Sequence, residues 1–220
     1  MYKVRITYTK SKEAAFIPSK DLKNVLETAM VRAGIYIVYT KENDPYIELA
    51  DNIPLGIESI AEICDVTLKE HVEPSFIIKS LNRELPIGMV ALTAEYLTEQ
   101  DVPISQSAYA ITYEILPNLG DVTKMTNREY QDRRKWYRFR MEEYLEEAAI
   151  LVLVKSLDRS ERIDIKPAIL SYEMNINDAL RITISKDTEY IFNPNYIMDG
   201  FKEFVNEDIE YAIKRTKILF

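Results

Sequence analysis

The chain has 220 residues, 47% hydrophobic and 29% charged, with a net charge of −8, which supplies a core and argues against disorder. A single cysteine and a single histidine exclude an internal disulfide and a cysteine-held iron–sulfur cluster and disfavour the usual zinc and Ser-His-Asp sites. Five glycines in no phosphate-loop or dinucleotide pattern leave no nucleotide signature, and the acidic balance disfavours generic nucleic-acid binding while leaving room for a local basic patch.

No apolar run approaches the ~18 residues of a membrane span, and the opening MYKVRITYTK lacks a signal-peptide core. A soluble cytoplasmic protein with no metal, no cofactor and no catalytic set is expected.

Tyr2 to Tyr8 alternates as a strand, Val4, Ile6 and Tyr8 on one face and Lys3 and Arg5 on the other. A helix is predicted from Pro18-Ser19, Ser19 capping it. Leu22, Val25, Leu26, Ala29, Met30 and Ala33 form its buried stripe, and Gly34 stands just past its end. Ile35 to Thr40 and Tyr46 to Ala50 are expected to pair across the turn Asn43-Asp44-Pro45. Ile60 to Leu68 is a strand with Cys64 in its apolar phase, so that cysteine belongs to the core. His71 falls in a solvated turn. Glu73 to Leu85 has helical spacing and stops at Pro86 and Gly88, and Val90 to Leu97 is again a strand.

Residues 100–106, QDVPISQ, separate this unit (1–99) from a second (107–220) with a similar rhythm. In the second unit Ala108 to Leu116 is a strand, and Thr126-x-x-Glu129 is a capping box opening a helix to about Ala149. Ile150 to Val154 is a buried strand, Ile163 to Met174 and Ala179 to Ser185 form a hairpin, Asn193-Pro194 opens a helix through Phe204, and Ile209 to Leu219 closes the sheet. The expected fold is α+β: two tandem ferredoxin-like βαββαβ units with mainly antiparallel sheets and helices on one face.

Several fragments in this order resemble the family of radical-SAM-linked domains of unknown function, which accompany cobalamin-binding radical SAM proteins in bacteria. They are YKVRITYTK, Phe16 with Asp21-Leu22, Arg32-Ala33-Gly34, the PLGIES of Pro54 to Ser59 with Glu62, LNRELPIG from Leu81 to Gly88, and IDIKP from Ile163 to Pro167. The chain departs from the family pattern at Ala15 and Ser19, where the family carries an arginine and a histidine, and at Lys166, where it carries an arginine. The resemblance implies an accessory to a radical SAM protein, one that presents RNA or a ribosome-associated substrate. The radical chemistry would belong to that partner.

Asp21, Arg32, Gly56, Ser59 and Glu62 are candidates for one binding groove, and Asp164 with Lys166, alternating on one strand face, for a site facing the interdomain cleft. Each has a structural alternative: Asp21 and Arg32 complement the helix dipole, Gly56 is a turn glycine, and Asp164 and Lys166 a solvated face. The other candidate surface is Arg133, Arg134, Lys135, Arg138 and Arg140 with Trp136, a combination of phosphate contacts and stacking that suits RNA. Its alternative is a solvated helix face laced by i,i+4 pairs, but the arginines precede the glutamates Glu142, Glu143, Glu146 and Glu147, against the dipole. Three functions follow: the accessory, a stand-alone RNA-binding or RNA-processing protein using the arginine-rich helix, and an interaction protein with no small ligand.

Overall fold

The computed structural model describes residues 1–98, 100–121, 123–155, 160–188 and 192–220, with the side chains of 105, 106 and 155 left out. The fold is α+β with mostly antiparallel strand pairs. No helix among the described residues is long and apolar enough to cross a membrane. The chain divides into two compact units, Met1–Tyr109 with Arg215–Phe220, and Ala110–Lys214.

In the first unit β1 (Tyr2–Lys10) buries alternate residues, as a strand with one face on a core must. It pairs antiparallel with β3 (Glu58–Leu68) and with β4 (Met89–Tyr96). The short β2 (Ile47–Leu49) adds to the outer edge of β3. Two helices pack on one face of this sheet: α1 (Ser19–Arg32) brings Leu22, Leu26, Ala29 and Met30, and α2 (Pro74–Glu84) brings Ile77 and Leu81, onto Val4, Ile6, Cys64 and Val66.

Three local expectations change. Pro18, not Ser19, is the residue before α1, and the Ser19 hydroxyl donates to the Ile53 carbonyl at 3.3 Å, tying the helix start to the loop before β3. Ile35 to Thr40 makes only isolated bridges, Ile37 with Leu68 and Tyr39 with Pro45, because β2 occupies the same edge of β3 directly beyond it. Residues 100–106 count with the first unit: α3 (Ile104–Ser107) buries Ile104 completely beside Ala50 and Ile218, and the Ile104 amide donates to the Asp65 carboxylate at 3.1 Å.

The second unit opens with β5 (Ala110–Pro117), then α4 (Asn127–Glu146), started by the expected capping box between Thr126 and Glu129. Next come β6 (Leu151–Lys155) and β7 (Ser160–Asp164), which form a separate two-stranded ribbon. A 3-10 turn over Lys166–Ala168 leads into β8 (Ile169–Met174), so the strand expected from Ile163 to Met174 is broken at Pro167, which lacks a ladder donor. β8 and β9 (Leu180–Ser185) are the predicted hairpin, and β9 pairs with β5. After α5 (Asn195–Val205), which ends at Asn206 with φ 53°, comes β10 (Tyr211–Leu219) beside β5; only its residues 211–214 count with this unit, so the second unit is Ala110–Lys214 rather than the expected 107–220. Tyr137 and Tyr144 of α4 meet Phe201 of α5, ring centroids 5.6 Å apart in both pairs.

Candidate functional site

The helix α1 is amphipathic, so its outward residues Asp21, Asn24, Thr28 and Arg32 recur every three or four positions along one wall. With Ile17, Val25, Ala29, Glu84 and Pro86 they line a groove of about 550 Å³. The turn after α2 fixes the second wall. Gly88 has φ +92°, its carbonyl accepts from the Ser11 amide at 2.8 Å, and an added Cβ would lie 2.1 Å from the Ser11 oxygen. That close approach requires glycine, and it brings the end of α2 to the Ile17 end of α1.

The groove is polarised. Asp21 and Glu84 stand toward the start of α1, and Arg32 lies eleven residues on, about 16 Å along the axis. None of the three has an ion-pair or hydrogen-bond partner through its side chain among the described residues. Phe16 and Ile87, each next in sequence to the lining residues Ile17 and Pro86, are 68% and 82% accessible.

Ser59 and Glu62 do not share that groove. They lie on β3 opposite Lys10 and Tyr8 in register, on the core side of the sheet. There Arg215 is completely buried and donates to Glu62 Oε1 at 3.1 Å, to Asp51 Oδ2 at 2.8 Å and to the Asn52 carbonyl at 2.9 Å. Lys10, also fully buried, donates from Nζ to the Ile17 carbonyl at 2.8 Å. Burial pushes the Lys10 ammonium down and the Tyr8 phenol well up from their ordinary values, and Glu62 pushes the phenol further. The Ser59 hydroxyl accepts from the Ala61 amide at 3.1 Å. Gly56, with φ +81°, donates to the Ala15 carbonyl and would meet the Phe16 ring 3.4 Å from an added Cβ, so its open side is already filled. Cys64 is fully buried and burial raises its thiol far above the usual range, the state of an inert core cysteine. His71 stacks on Tyr96, centroids 4.5 Å apart.

In the second unit Asp164 does not alternate with Lys166 on a strand face. Its Oδ1 accepts from the amides of Ile150 and Lys166 at 2.8 and 3.0 Å, and the Lys166 ammonium donates to the Leu145 carbonyl. The pair closes a turn against the end of α4. The arginines of α4 also have partners. Arg133 pairs with Glu207 and lies 4.2 Å from the Trp136 ring centroid. Arg134 and Arg138 converge on Asp178, which is 3% exposed at the β8–β9 turn, and they also bond the carbonyls of Ile176 and Asn175 at 2.7 and 2.8 Å. Arg140 pairs with Glu143 and covers Phe204. Of the basic residues proposed there, Lys135 alone is exposed with no partner among the described residues.

Sequence reasoning missed Glu84, Asp178, Lys10 and Arg215. Lys10 was detectable, since it continues the apolar phase Val4, Ile6, Tyr8. Arg215 follows the same rule after Ile213. Asp178 and Glu84 carry no local signal, because their importance comes from neighbours far along the chain.

A family model described as an uncharacterized protein conserved in bacteria (DUF2344) matches residues 3–194, and the chain belongs to that family. No curated protein matches the chain. Among solved structures, one provisionally described as a glycine cleavage system transcriptional repressor is 8% identical, with 96% of this chain and 95% of that chain covered, at a TM-score of 0.26.

Proposed function

We propose that the protein is a non-catalytic accessory that associates with a radical SAM protein and presents it with a substrate, using the α1 groove as its contact. One observation carries this reading. Asp21 and Arg32, which belong to the fragments resembling radical-SAM-linked domains, are opposed, exposed charges without a side-chain partner among the described residues. By contrast, Gly56, Gly88, Asp164 and Lys166, from other such fragments, are occupied in holding turns. Unpaired charges of both signs on a groove wall offer orientation and specificity to a partner at little cost to the free protein.

The scaffold is read as two tandem ferredoxin-like units. The strand orders β4-β1-β3-β2 and β10-β5-β9-β8 support this, with the β6–β7 ribbon as an insertion in the second. For an RNA or ribosome-associated substrate, contact at α4 would have to displace Glu207 and Asp178 from their arginines. The groove is therefore the proposed contact and α4 the alternative.

Affinity capture from native extract, with protein and RNA analysed from the same eluate, tests the proposal. A radical SAM protein is expected in the eluate and absent with Asp21→Lys/Arg32→Glu. RNA without such a protein, reduced by Arg133→Glu/Arg138→Glu, would replace the proposal with the RNA-binding reading.

A further inference from the structure

The α1 groove has a direction as well as a charge pattern. Its acidic end, Asp21 with Glu84, lies at the start of α1, and its basic end, Arg32, lies at the finish. Between them the wall is apolar at Val25 and Ala29 and polar at Asn24 and Thr28, with Ile17 and Pro86 continuing the apolar surface toward Phe16 and Ile87.

A nucleic-acid strand fits this poorly, because two carboxylates would face its phosphates for one arginine. A small molecule fits poorly too. Small-molecule sites enclose most of their ligand, whereas Asp21, Asn24, Thr28 and Arg32 are all exposed along an open wall. A span of about 16 Å equals about three turns of helix. An amphipathic helix laid against a helical wall is a common mode of peptide recognition.

We infer that the groove takes a helical segment of a protein partner lying antiparallel to α1, with an acidic residue in its first turn against Arg32 and a basic residue in its last turn against Asp21 and Glu84. The antiparallel direction follows from the charges. A helix favours acids at its own start and bases at its own end, so only this orientation matches both the partner's dipole and the groove. Its middle presents small apolar residues to Val25, and a larger apolar residue near its end meets Phe16 and Ile87. The inference rests on the accessory reading above and specifies the contacting segment of that partner.

The test uses a displayed library of amphipathic helical peptides of about 18 residues, with first- and last-turn positions each varied among Glu, Lys and Ala, panned against the full chain. Enriched peptides should carry Glu in the first turn and Lys in the last. Their affinity should fall about fivefold with Arg32→Glu and again with Asp21→Lys, the effect of reversing one exposed charge pair. Enrichment without charge order, no enrichment, or binding indifferent to these substitutions would overturn the inference.

The two readings fail separately. A radical SAM protein captured equally well by the double variant removes the groove and keeps the accessory role. Charge-ordered peptides without capture of such a protein keep the groove and remove that role.

Discussion

The arginine helix of the second unit and the groove helix of the first make opposite use of charge. Along α4 the basic residues look like a binding surface, yet Arg133, Arg134, Arg138 and Arg140 each have a carboxylate partner within the unit. Along α1 the charges are fewer and sparser, yet Asp21 and Arg32 have no side-chain partner among the described residues. Charge density along a sequence therefore says little about availability for binding. Availability depends on what the rest of the fold brings opposite.

The α4 arrangement also resolves the conflict with the helix dipole. Arginines early in a helix and glutamates late cost local stability. Here Asp178, at the β8–β9 turn, takes Arg134 and Arg138 together, while Glu207, just past α5, takes Arg133. Charge-assisted pairs to a buried carboxylate outweigh a dipole effect of a fraction of a kcal/mol.

The contrast is sharpest where the charges are fully buried. Arg215→Ala would leave Glu62 buried without its partner, and such losses run to about 3–5 kcal/mol. Chemical denaturation should show a large fall in stability, and a wild-type-like curve would mean the cluster contributes nothing. A smaller but clear effect is expected at Asp178. Asp178→Asn retains a side chain that tolerates the residue's φ of +63° but removes its charge. Melting should fall by about 2–6 °C; no change would make the arginines of α4 free after all and restore their candidacy for RNA.

Next comes pH. Burial raises the Tyr8 phenol, so the folded chain keeps that proton above about pH 10, where an unfolded tyrosine releases it. The folded state then binds more protons, and its stability falls as pH rises past that value. Tyr8→Phe should make the alkaline limb of the stability–pH curve shallower, and since the Tyr8 hydroxyl has no hydrogen-bond partner among the described residues, stability at neutral pH should hold. An unchanged limb would place the alkaline transition elsewhere. The smallest stability effect belongs to the groove: Arg32→Gln should alter stability by less than about 0.5 kcal/mol, as exposed sites do, while lowering partner affinity. Destabilisation by more than that would mean Arg32 is structural and would break the comparison.

Much of the fold was legible from residue pattern. The alternation of Val4, Ile6 and Tyr8, the stripe on α1, the capping box at Thr126 and the β8–β9 hairpin all appear where periodicity places them. The departures occur where two segments compete for one position. Ile35 to Thr40 has strand composition but yields most of the β3 edge to β2, and Ile163 to Met174 breaks at Pro167 into two strands of different sheets. Of the candidate site, Asp21 and Arg32 were legible as exposed helix charges, but Ser59, Glu62 and Gly56 were grouped with them only by their shared fragment pattern. The structure buries Ser59 and Glu62 and fills the space beside Gly56.

By itself the sequence determined the kinds and order of most elements, because periodicity, capping and turn chemistry act over a few residues. Which charges are satisfied was decided only by the tertiary structure. Arg134 meets Asp178 across 44 residues and Arg215 meets Glu62 across 153, distances over which no local pattern operates. Asp21 and Arg32 remain available for the converse reason: among the described residues folding brings no opposite charge into contact with them, and α1 keeps them too far apart to neutralise each other.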